Sequence, residues 1–146
     1  MSLLYLDTSA LFKRYVEEAE SEALLGRIED APVVGTALIT RVEVAAALAK
    51  AVRDDRMPSA EAREAECDFL NDWADFTRIG LTDDGAALAA GLAWKHDLRG
   101  YDAAQLASAL AWREATEEVE AQVVFACFDN DLRRAAMAEG LETWPA

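Results

Sequence analysis

The sequence predicts one α/β domain over residues 1–146: a three-layer sandwich on a mostly parallel central sheet of four or five strands, with helices on both faces. Three observations predict it. Short apolar runs alternate with helices or helix pairs along the whole chain, the pattern left by successive βα units. Val123-Val-Phe-Ala-Cys-Phe128 is apolar throughout, as in a strand covered on both faces near the centre of a parallel sheet. The 146 residues, 53% of them hydrophobic, suffice for one self-supporting core and fall short of two ordinary domains. There is no internal repeat, low-complexity tract or linker, and the 31 alanines favour helix.

Each element has its own signal. Leu3-Leu-Tyr-Leu, stopped by Asp7, reads as a buried strand. Leu11-Phe12 and Tyr15-Val16 keep helical spacing behind it, with Thr8 or Ser9 available as N-cap. Glu18 to Ile28 is helical, with Leu24, Leu25 and Ile28 on one face, and Pro32-Val-Val-Gly35 is a short strand. Thr40 to Val52 is a strong helix with a broad apolar face of Val42, Val44, Ala45, Leu48, Ala49 and Val52. Pro58 opens the next helix in its first turn. That helix runs to about Asp75, and Cys67, Leu70, Trp73 and Ala74 are expected to face inward. Phe76 to Ile79 is a strand and Thr82 to His96 a helix carrying Leu88, Leu92 and Ala93. Leu98-Arg-Gly100 turns the chain into an alanine-rich helix from Asp102 to about Ala115. After the strand at Val123–Phe128, Asp129 to Glu139 is a helix stopped by Gly140, and Leu141 to Trp144 is an edge strand.

Composition excludes several classes. No apolar run approaches 18 residues, so no membrane span is expected, and Asp7 comes too early, behind no basic segment, for a signal peptide. Cys67 and Cys127 stand 60 apart with no C-x-x-C pair, which argues against a zinc cluster or a disulfide framework; both read as core thiols in a reducing, cytoplasmic setting. Net charge is −14, from 14 basic and 28 acidic residues. That balance opposes nucleic-acid binding by bulk attraction. Its plain reading is a solvated acidic surface, and its sharper reading is a convergence of acids around a cation.

Placement favours convergence. In open α/β sheets, ligands bind beyond the carboxyl ends of the strands. Asp7 and Asp129 follow two strands there, and Glu43 and Asp102 sit at the start of two helices that point to that edge. Each acid also has a local explanation. Asp7 and Asp129 can cap helices, Asp102 gains about 0.3–1 kcal/mol from a helix dipole, and Thr40-x-x-Glu43 matches the capping box. Four carboxylates gathered at one edge cannot all stay ionised without help. A divalent cation removes that conflict, and oxygen-only ligands suit Mg²⁺ or Mn²⁺.

Four segments resemble one family. Leu4-Tyr-Leu-Asp-Thr-Ser-Ala-Leu-Phe-Lys-Arg-Tyr15, Thr40-Arg-Val-Glu-Val-Ala, Leu98-Arg-Gly-Tyr-Asp-Ala-Ala-Gln-Leu-Ala-Ser-Ala109 and Phe128-Asp-Asn-Asp-Leu-Arg-Arg-Ala135 arrive in the order and at the spacing of a PIN domain of the VapC toxin type. The resemblance spans nearly the whole chain, and the Arg-Gly-Tyr-Asp-Ala segment is its most specific part. It implies a metal-dependent endoribonuclease, the toxin of a type II toxin–antitoxin pair, that leaves a 5′-phosphate and a 3′-hydroxyl. It also implies a catalytic and metal-binding quartet of Asp7, Glu43, Asp102 and Asp129, with Mg²⁺ or Mn²⁺ as cofactor. A cognate antitoxin and a second copy of the chain are the implied protein partners, and the apolar helix pair from Thr40 to Asp75 offers surface for them.

One departure stands out: the family often carries Ser or Thr two residues before the last acid, where this chain has Cys127. That leaves Asp131 as a further ligand candidate beside Asp129. Thr8 and Ser9 are supporting candidates that could also be helix caps. Lys13, Arg14, Arg41, Arg99 and Arg133, with Lys95 and Arg134 nearby, are candidates to contact RNA phosphates, which position a nucleic acid without specifying its sequence. A competing reading keeps the PIN fold as a catalytically weak or silent protein-interaction module. Two other readings fail: Leu11 replaces the second serine of an adhesion-type D-x-S-x-S loop, and a phosphoacceptor domain needs an acid pair and a later lysine that are absent.

Overall fold

A computed structural model describes residues 2–146. Five strands form one sheet in the order β3-β2-β1-β4-β5, every neighbouring pair parallel. They are β1 (Ser2–Leu6), β2 (Val33–Ala37), β3 (Thr77–Ile79), β4 (Gln122–Ala126) and β5 (Glu142–Trp144). The helices are α1 (Thr8–Tyr15), α2 (Ser21–Glu29), α3 (Thr40–Arg53), α4 (Ser59–Trp73), α5 (Asp83–His96), α6 (Gly100–Ala115) and α7 (Asn130–Ala138), with a 3₁₀ turn at Glu117–Val119 that the sequence does not announce. The expected three-layer α/β sandwich is therefore present.

The strand period of two divides the core. Leu3, Tyr5, Val123 and Phe125 face the layer of α5 and α6, while Leu4, Leu6, Val124 and Ala126 face that of α1, α3 and α4. Tyr5 and Phe125 stack across the two central strands, ring centroids 5.4 Å apart. Parallel register brings the strands' carboxyl ends to one edge, where Asp7 follows β1 and donates its N–H to the Ala126 carbonyl of β4 at 3.2 Å.

The structure corrects several local expectations. Helix α1 is capped by Asp7, whose Oδ1 accepts the Ala10 N–H at 2.9 Å, and not by Thr8 or Ser9. The capping box at Thr40 does not form: Ile39 precedes α3 with no side-chain cap, and the Thr40 and Glu43 side chains bond elsewhere. On α4 the inward face is Ala62, Ala65, Phe69 and Trp73, so Cys67 is an exposed thiol and no core residue, and Leu70 and Ala74 are exposed as well. Val42 and Ala49 on α3 are exposed, and so is Leu88 on α5, whereas Leu92 is buried as expected, with Ala89 beside it. Trp73 and Trp112 belong to the core, whereas Trp94 is 91% exposed. His96, at the end of α5, is part-buried and lies 2.8 Å from Glu139.

Gly35 on β2 makes the tightest close approach. A Cβ there would stand 2.6 Å from the Trp112 ring of α6, and that ring is buried beside Tyr5. Gly35→Ala should therefore cost about 1–3 kcal/mol of overpacking strain, or several degrees in melting temperature by calorimetry. An unchanged midpoint would show that α6 has room to withdraw from the sheet.

Candidate active site

Four carboxylates reach the carboxyl edge of the sheet from four elements. Asp7 ends β1 and is only 4% exposed. Ser9 donates its hydroxyl to both Asp7 oxygens, at 2.8 and 3.0 Å, and accepts the Phe128 N–H at 3.3 Å, so one side chain ties the ends of β1 and β4 together. Burial pushes the Asp7 carboxyl up to about 6, with a further push from Asp102, against the lowering effect of the Ala10 N–H and the Ser9 hydroxyl.

Glu43, in the first turn of α3, accepts at Oε1 from the Thr8 hydroxyl (3.0 Å) and from Gln105 Nε2 (2.9 Å). Asp102, in the first turn of α6, is half-buried. Burial raises it to about 6, and the negative charges of Asp129 and Glu43 raise it further, partly offset by Arg99. Asp129 caps α7, its Oδ1 accepting the Leu132 N–H at 2.9 Å.

The quartet therefore shares one electrostatic neighbourhood. Asp102 feels Glu43 and Asp129, and Asp7 feels Asp102. Thr8 and Ser9, expected either as helix caps or as supports, each hold one quartet carboxylate. Capping leaves oxygens over: among the described residues no hydrogen bond reaches Glu43 Oε2, Asp129 Oδ2 or either Asp102 oxygen.

Cys127 is buried between Asp7 and Asp129. Its Sγ lies 3.4 Å from the Asp129 nitrogen, and burial followed by the Asp7 charge pushes the thiol well above its usual range. It stays neutral and accepts the Asp129 N–H, a weak version of what a hydroxyl would do there. Asp131 is not brought in: it is exposed and paired with Arg134.

Most of the candidate cations are engaged elsewhere. Arg14 pairs with Asp72 at 3.5 Å, Lys95 with Glu139 at 2.6 Å, and Arg133 donates to the Pro145 carbonyl. Arg41 is exposed, two positions from Glu43 on α3 and so on a different face. Two cations lie at the site, Arg99 with no carboxylate pair among the described residues and Lys13 already paired with Glu18 at 3.8 Å and with Glu20. Arg99, exposed and bonded to the Tyr101 hydroxyl at 2.8 Å, stands in the field of Asp102 and Asp129. Lys13 lines a cleft with Thr8, Ser9, Phe12, Phe128 and Asp129, its Nζ 4.8 Å from the centre of the Phe128 ring and 3.3 Å from Glu20.

Gln105 was missed by sequence reasoning. It is fully buried on α6, three residues after Asp102 and hence on the same helix face. A lone amide in an otherwise alanine- and leucine-rich helix was the available signal.

The donor set suits a hard divalent cation: it is all oxygen, it is acidic, and free carboxylate oxygens remain on three of the four residues. Among the described residues no three His, Cys, Asp or Glu side chains already close on one point as a preformed ligand cage. Each of Asp7, Glu43 and Asp129 is instead held by its own protein hydrogen bonds.

An acidic centre at the carboxyl edge of a parallel α/β sheet defines the class of protein, and comparison with known proteins gives the family. The PIN domain family model matches residues 4–137. Over 146 residues the chain is 34% identical to Ribonuclease VapC45 of Mycobacterium tuberculosis, covering all of this chain and 97% of that protein. The crystal structure of Mycobacterium tuberculosis VapC20, described as a sarcin–ricin loop cleaving toxin, superposes with a TM-score of 0.63 at 20% identity, over 94% of this chain and 95% of the other. A toxin–antitoxin complex from Klebsiella pneumoniae matches with a TM-score of 0.55 at 19% identity, over 83% of each chain. This chain belongs to the PIN domain family.

Proposed function

We propose that this chain is a metal-dependent endoribonuclease that hydrolyses RNA phosphodiester bonds as the toxin of a toxin–antitoxin pair. The observation that carries the reading is the meeting of Asp7, Glu43, Asp102 and Asp129 at one sheet edge, with Asp7 buried and Asp102 in the field of two other acids. Membership of a family that includes a full-length VapC ribonuclease relative supports it.

Mg²⁺ or Mn²⁺ held by the quartet would supply a water acidic enough to attack at neutral pH and a positive charge for the leaving oxygen. The protein's own part is positional. Ser9 and the Ala10 N–H fix the Asp7 carboxylate, Thr8 and Gln105 fix Glu43, and the α7 cap fixes Asp129. Holding ligands in place before substrate arrives removes an entropic cost from the reaction. Lys13 and Arg99 receive the RNA phosphates flanking the cut. With a net charge of −14 RNA is drawn only by this local pair, so cleavage should weaken as salt rises.

A cognate antitoxin is the protein partner in this reading, and the chain acts in the cytoplasm as a homodimer. Support for protein contact comes from α5. Gly85 to Trp94 carries no charged residue, yet Leu88 and Trp94 are exposed, and a helix apolar on all sides is ordinarily covered. Among the described residues no helix is long and apolar enough to cross a membrane.

The test is cleavage of total cellular RNA by the purified chain with Mg²⁺ or Mn²⁺, against the same reaction with EDTA. Discrete fragments that need the metal are expected. A folded chain that binds the metal and cuts no RNA would overturn the nuclease reading in favour of a silent PIN module.

A further inference from the structure

Gln105 is a buried side chain that joins Tyr5, in the core beneath α6, to the candidate site. Its Oε1 accepts the Tyr5 hydroxyl at 2.6 Å. Its Nε2 lies 2.9 Å from Glu43 Oε1, 2.9 Å from Thr40 Oγ1 and 3.1 Å from Thr8 Oγ1. The directions of these bonds are forced. A carboxylate only accepts, so the amide must turn its nitrogen to Glu43 and its oxygen to Tyr5. Thr36 and Thr40 lie 2.8 Å apart, and Thr36 reaches the Leu6 carbonyl at 2.7 Å, so the chain of bonds is anchored on β1. Thr8 completes the set by donating to the same Glu43 oxygen.

Two donors thus converge on Glu43 Oε1 and none on Oε2. We infer that Gln105 is a positioning residue for Glu43: with Tyr5 behind it, it pins one carboxylate oxygen and presents the other to the cation. The inference rests on the proposed function, and it adds a residue that lies outside the acidic quartet. Partners that orient a ligating carboxylate typically govern metal affinity by about 10–100-fold. A Gln105 that merely fills the core would govern stability alone.

The two roles separate in a pair of variants. Gln105→Met keeps the volume and removes every Gln105 bond, orphaning the proton that the buried Tyr5 hydroxyl donates to Gln105. Tyr5→Phe with Gln105→Met removes that orphan too, and replacing both partners of a buried bond by apolar groups is close to neutral for stability. The readouts are melting temperature, Mn²⁺ affinity by calorimetry, and kcat and KM for RNA cleavage. Gln105→Met is expected to melt lower, to bind Mn²⁺ about tenfold more weakly and to lose about tenfold in kcat with little change in KM. The double variant is expected to regain most of the melting temperature while Mn²⁺ affinity and kcat stay low.

Recovery of affinity and kcat together with stability would overturn the inference, as would wild-type Mn²⁺ affinity in Gln105→Met. Failure of the nuclease reading shows differently: the unmodified chain itself then fails to cut RNA, whereas failure of this inference leaves it active.

Discussion

Asp7→Asn is expected to abolish RNA cleavage and to raise the melting temperature of the metal-free chain. Both effects follow from one buried carboxylate. A ligand that loses its charge forfeits several kcal/mol of interaction with a divalent cation, and each 1.36 kcal/mol is a factor of ten in rate, so the loss should be at least about 100-fold. The fold survives because asparagine keeps the oxygen that accepts the Ala10 N–H, and asparagine caps helices as well as aspartate does. Stability rises for the reason that activity falls. Asp7 is pushed up to about 6 from 3.8 by burial. An acid raised in the folded state is neutral and costs nothing below the unfolded value. The cost grows as the pH climbs from about 4 to 6 and is fully present at pH 7. Removing it should gain on the order of 1–3 kcal/mol at pH 7. RNA cleavage at the wild-type rate by the variant would contradict the role of Asp7. A lower midpoint would mean that the ionised carboxylate holds the fold together.

Glu43→Gln carries the second large effect. The structure removes the local explanation for this acid, since no capping box forms at Thr40. Both hydrogen bonds that Glu43 accepts land on Oε1, and a glutamine oxygen can accept both in the same place. The amide nitrogen then occupies the position of Oε2, where it offers neither charge nor a lone pair. Melting temperature should stay within a degree or two, and cleavage should fall by about 100-fold or more. Unchanged cleavage would make Glu43 a partner of Gln105 and nothing further.

The layered fold was legible because parallel sheets leave strong marks: the apolar run of β4, the regular return of helices and the acids that stop strands. Helix faces were harder, and alanine is the reason. With 31 alanines the contrast between inner and outer faces is slight, so the pattern points Cys67 and Leu70 inward where Ala65 and Phe69 hold those places. At the site, the four acids could be proposed from their positions at strand ends and helix starts. The partners of those acids could not. Gln105 finds Glu43 across 62 residues and Tyr5 across 100, and the Thr40 hydroxyl that reads locally as a cap bonds Thr36 and Gln105 instead. The cations were the least legible feature. In a chain with twice as many acids as bases, Arg14, Lys95 and Arg134 each meet a carboxylate before they reach the site, and Lys13 meets Glu18 and Glu20 beside it.

The central claim is that the quartet at the sheet edge is one cation-binding catalytic centre. Calorimetric titration of Mn²⁺ into the purified chain tests it most directly, beside Asp7→Asn and Asp102→Asn. Saturable binding in the unmodified chain that drops by at least about tenfold in each variant, in step with RNA cleavage, is the predicted result. Equal Mn²⁺ binding by all three proteins would contradict it.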